Sequence, residues 1–98
     1  MTDYPRIIHT LQFFAFSGLS EQGNRELLER QLLVADWRVQ IESELRQVFC
    51  DKSFQWAPCL YNSEYEVFES ESEEEARDYA AEILWNVVFP HIAVPDFD

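Results

Sequence analysis

Glycine is scarce in this chain. Gly18 and Gly23 are the only two among 98 residues, so no glycine-rich loop can wrap a phosphate. With only four prolines besides, there is little material for the many tight turns of a β-sandwich or barrel. Bases are scarce too: seven Lys and Arg stand against nineteen Asp and Glu. That balance cannot make a phosphate-tracking stripe, which argues against nucleic acid and against anionic membrane as direct ligands. Cys50, Cys59, His9 and His91 fit no compact zinc spacing, so they read as two reduced, buried thiols and two ordinary imidazoles, with no metal and no cofactor expected. No window approaches eighteen uninterrupted apolar residues, and the first eighteen positions are broken by Asp3, Arg6, His9 and Gln12. Neither a membrane span nor a secretory signal is expected, and a cytoplasmic location is.

Apolar residues make up 47% of the chain and aromatics 15%, too much for a disordered segment despite a net charge of −12. The length fits a single domain over residues 1–98. Ile7, Ile8, Leu11, Phe14 and Ala15, behind Pro5, predict a helix from about Pro5 to Phe16, stopped by Gly18. Period-two spacing of Ile7, His9, Leu11, Phe13 and Ala15 keeps a strand as the alternative. Ser20 or Asn24 can cap a second helical pattern, in which Leu27, Val34, Ile41 and Val48 fall seven apart. This spacing predicts one long helix or a pair kinked near Asp36, with its first half central and its second half peripheral. Phe54, Trp56 and Leu60, then Tyr65 and Val67 across Asn62-Ser63, read as a β-hairpin whose first strand, holding Pro58, lies at an edge or carries a bulge. Ser72 with Glu75 forms a capping box for a last helix that Pro90 stops, and residues 90–98 should be extended. The expected fold class is therefore α+β, in the order helix, long or kinked helix, hairpin, helix, tail.

The acidity is local. Residues 64–82 hold nine carboxylates and one base, Arg77, where random placement would put about four acids. Residues 1–63 are close to neutral, with eight acids against six bases. The helix macrodipole accounts for glutamates around Glu71 to Glu75, but Glu64, Glu66 and Glu69 have no such local reason. A localised field of one sign attracts basic surfaces and speeds association.

No arrangement of nucleophile, base and metal ligands suggests catalysis, so an enzyme is not expected. The pattern points to a binding protein that docks on a basic partner protein and is a monomer when free. The candidate contact residues are Glu64, Glu66, Glu69, Glu73, Glu74 and Asp78, with Tyr65 and Phe68 as apolar anchors. In physical type, without a shared motif, a compact acidic domain of this kind resembles bacterial immunity proteins and antitoxins. That resemblance implies an inhibitor whose carboxylates occupy the site of a nucleic-acid-handling enzyme such as a nuclease toxin. The alternative expectation is a small structural or regulatory subunit of a larger assembly, joined through the stripe from Leu27 to Val48.

Overall fold

The computed structural model describes residues 4–95. Helix α1 (Pro5–Phe16) has the expected bounds, with Pro5 in its first turn and Gly18 in the left-handed region at φ 71°. Side chains fasten its ending. The Leu19 N–H is accepted by the Ser17 hydroxyl (3.1 Å), which also lies 3.3 Å from the Phe14 carbonyl and 2.7 Å from Asn24 Oδ1. Ser20 caps α2 (Glu21–Gln31) by accepting the Gly23 N–H at 3.2 Å.

The chain turns through Leu32, Leu33 and Val34 before α3 (Ala35–Val48). The kink thus lies just ahead of Asp36, in a turn closed by N–H donation from Leu33 to the Arg30 carbonyl and from Val34 to the Gln31 carbonyl. The turn splits the seven-residue stripe: Val34 is exposed and Leu27 half-buried, while Ile41 and Val48 are fully buried. The expected order of burial is reversed. Within its own bounds α2 buries only Leu28, whereas α3 buries Ile41, Leu45 and Val48 and packs on α1.

The α+β expectation is wrong, because no strand is present among the described residues. The segment read as an edge strand is instead a short helix, α4 (Trp56–Leu60). Trp56, Cys59 and Leu60 bury at spacings of three and four, which is one helix face, and Trp56 with Leu60 mimicked strand alternation. Pro58 sits in the first turn, where a missing N–H costs nothing. The carboxylate of Glu73 accepts the Trp56 N–H (2.7 Å) and the Ala57 N–H, holding the helix start from across the fold. The expected turn is real. Asn62 Oδ1 accepts the N–H groups of Glu64 (2.9 Å) and Tyr65 (3.1 Å), but only one antiparallel bridge, Tyr61 with Glu66, flanks it.

Ser72 caps α5 (Glu73–Ala80) by accepting the Glu75 N–H at 3.0 Å. The chain then passes through a π-helical turn, Ala81–Trp85, into α6 (Asn86–Val88). That turn lets Leu84, Trp85, Val88 and Phe89 all reach the core. Beyond Pro90 the chain turns back: the Trp85 indole donates to the Ile92 carbonyl (2.8 Å) and Arg77 to the Pro95 carbonyl. Residues 96–98 of the expected extended tail lie outside the described residues. Phe49 is the hub of the core, with Trp56 at 5.0 Å and Trp85 at 5.4 Å between ring centroids.

Candidate functional site

The acidic stretch occupies the turn after α4 and the outer side of α5. Glu64, Glu66, Glu69, Glu74 and Asp78 are exposed, as are Glu71, Glu75 and Glu82. Two glutamates have intramolecular work: Glu73 holds the start of α4, and Glu75 Oε1 accepts the Glu71 N–H at 3.1 Å. Tyr65 is buried at 6% exposure and does not reach the surface. Burial raises its phenol to about 12, and the neighbouring Cys59 thiol is pushed up to about 11, again chiefly by burial. Phe68 is half-buried and stacks on Tyr79, with centroids 4.1 Å apart and rings 9° from parallel.

The fate of Arg77 decides the electrostatics. As the only base of the stretch it could neutralise this side, yet its guanidinium turns inward. It donates to the Phe49 carbonyl (3.0 Å) and the Pro95 carbonyl and lies over the Phe49 ring at 5.2 Å. The ion pairs among the described residues are Arg6–Glu44, Arg25–Glu29 and Arg38–Glu42. All belong to the near-neutral half, and none involves a carboxylate of residues 64–82. Exposed acids that outnumber the bases near them leave a predominantly negative field facing solvent.

A groove of about 470 Å³ opens beside this surface, between the start of α2 and the last helix. Glu21, Glu66 and Glu82 line it together with the apolar Val67, Ile83 and Val87. The Tyr79 phenol donates to Glu21 Oε1 at 2.7 Å, and burial first, then this hydrogen bond, raises its pKa. The sequence does not disclose Glu21 and Tyr79 as neighbours. Helical spacing assigns Tyr79 to the core, and nothing local ties Glu21 to a helix 58 residues away.

A second, apolar surface lies on α1, where Phe13 is 49% and Phe16 72% exposed. A recess of about 250 Å³ beside it is lined by Phe13, Leu27 and Trp37. Cys50 is exposed, contrary to the expectation of two buried thiols, and Cys59 is buried; neither is bridged. Among the described residues no group of three or more His, Cys, Asp or Glu is arranged to hold a metal ion, and no helix is long and apolar enough to cross a membrane. No known protein family, curated protein or solved structure matches the chain.

Proposed function

We propose that this chain is a non-enzymatic binding protein of the cytoplasm that docks on a basic partner protein through the surface carrying Glu64, Glu66, Glu69, Glu74 and Asp78. The partner is a nucleic-acid-handling enzyme, and the chain inhibits it in the manner of an immunity protein or antitoxin. One observation carries the reading: Glu64, Glu66, Glu69, Glu74 and Asp78 are all exposed, and among the described residues none of them forms an ion pair. Carboxylates spaced along an exposed turn and helix offer a basic cleft the charge that phosphates would otherwise bring. Tyr65 is omitted from the contact set because it is buried, and Glu73 because it holds α4.

The test is to recover the partner from the native host and measure its association with the wild-type chain and with a Glu69→Lys, Glu74→Lys, Asp78→Lys variant. The reading expects association to slow by about tenfold or more in the variant and to slow in the wild type as salt rises. Association insensitive to both would exclude the acidic surface. The exposed Phe13 and Phe16 favour a second reading, a small subunit of an assembly joined through α1 and the adjoining Leu27 and Trp37. Sedimentation of the isolated chain separates the two: a monomer fits the inhibitor, and a stable oligomer fits the subunit.

A further inference from the structure

We infer that the groove between α2 and the last helix receives a Lys or Arg side chain of the basic partner, an inference that rests on the docking function proposed above. The groove differs from the run of glutamates on α5, because the acids that line it come from three separate segments. Glu21 comes from the first turn of α2, Glu66 from the turn after α4, and Glu82 from the π-helical turn. Among the described residues its only base is Arg25, whose guanidinium faces Glu29 one turn further along α2 (3.7 Å). The acids therefore outnumber the base, and the base has its own counter-charge.

The apolar part of the lining selects the kind of cation. Val67, Ile83 and Val87 line the groove along with the carboxylates. A long methylene stem lies well on such a surface while its charged head reaches the rim, which is how Lys and Arg side chains cover apolar patches. A bare metal ion would leave that apolar lining uncovered and would want several oxygens in one tight shell. The Glu21 carboxylate is held in place by the Tyr79 phenol, and Tyr79 is held by its stack on Phe68. One rim acid is thus positioned before any partner arrives.

The experiment is an NMR titration of the full chain, ¹⁵N-labelled, with the peptide acetyl-Arg-Leu-Arg-Leu-Arg-amide and, in parallel, with spermidine. Saturable shifts at the amides of Glu21, Val67, Tyr79 and Glu82 are expected with the peptide, and Glu66→Gln with Glu82→Gln should weaken it by about tenfold. Replacing each arginine by citrulline should abolish the shifts. Spermidine binding as tightly as the peptide would overturn a protein side chain as the occupant. If Glu74→Gln with Asp78→Asn weakens the peptide while the Glu66 and Glu82 changes do not, the groove is wrong and the acidic docking surface stands. If no amide shifts saturably, both fall.

Discussion

Helices α1 and α4 begin in the same difficulty and resolve it with opposite exposure. Each follows a residue whose side chain does not cap, Tyr4 or Gln55, and each has a proline in its first turn. Each is held by a glutamate from a distant helix. For α1 it is Glu44, 8% exposed, whose Oε1 accepts the N–H groups of Arg6 (2.9 Å) and Ile7 (3.2 Å) while Oε2 takes the Arg6 guanidinium at 3.2 Å. For α4 it is Glu73, on the exposed acidic side, whose carboxylate is engaged by backbone N–H groups. A buried carboxylate needs its counter-charge, and a solvated one can act through backbone N–H groups alone. The α1 start thus uses a base of the near-neutral half, whereas the α4 start is held by Glu73 without one.

The most severe way to break this comparison is Glu44→Ala, which removes the counter-charge of the partly exposed Arg6 and the acceptor of the buried Ile7 and half-buried Arg6 N–H groups. A loss on the order of 2 kcal/mol is expected in urea unfolding. Glu73→Ala should cost about 1 kcal/mol, the usual scale for a lost cap. The same change should speed amide exchange at Trp56 and Ala57 and labelling of Cys59, while Cys50 labels rapidly in both proteins. Equal costs for the two changes would erase the distinction between buried and solvated caps.

Raising the pH probes the α4 side next. Cys59 and Tyr65 titrate higher in the folded chain than their ordinary values of 9.0 and 10.0, so the folded state keeps protons that the unfolded state releases. Their contribution is complete below about pH 9 and should fade as pH rises toward 11 and 12; Cys59→Ala should delay the onset. At the other end Asp51 is held below its ordinary 3.8, first by the Ser53 hydroxyl, then by the Ser53 N–H and the Tyr4 phenol. Its contribution is complete above pH 3.8 and is lost as pH falls through the lowered value, and Asp51→Asn should remove that acid-side slope. The smallest effects belong to Glu74→Ala and Asp78→Ala, each within about 0.5 kcal/mol in the same urea assay.

Local pattern disclosed what local physics determines. Pro5 and Gly18 bracketed α1, Ser72 began α5, and Asn62 marked the turn, because each acts on backbone groups within a few residues. The hairpin failed because five residues carry too little periodicity to separate strand from helix, and the deciding contact, Glu73 to Trp56 and Ala57, spans more than a dozen positions. The candidate surface was half legible in the same sense. The run of acids was plain, but its sharpness depends on where Arg77 points, and the burial of Tyr65 depends on packing around Cys59.

The inward turn of Arg77 makes the acidic field a product of folding. Its guanidinium joins the end of α3 to the C-terminal segment at Pro95, so only the assembled chain withdraws that charge from the glutamates around it. In the unfolded chain the same arginine is flanked by acids on both sides and screens them. A basic partner that senses the unscreened field would thus discriminate conformation as well as charge, engaging the folded molecule ahead of nascent or damaged copies of the same sequence.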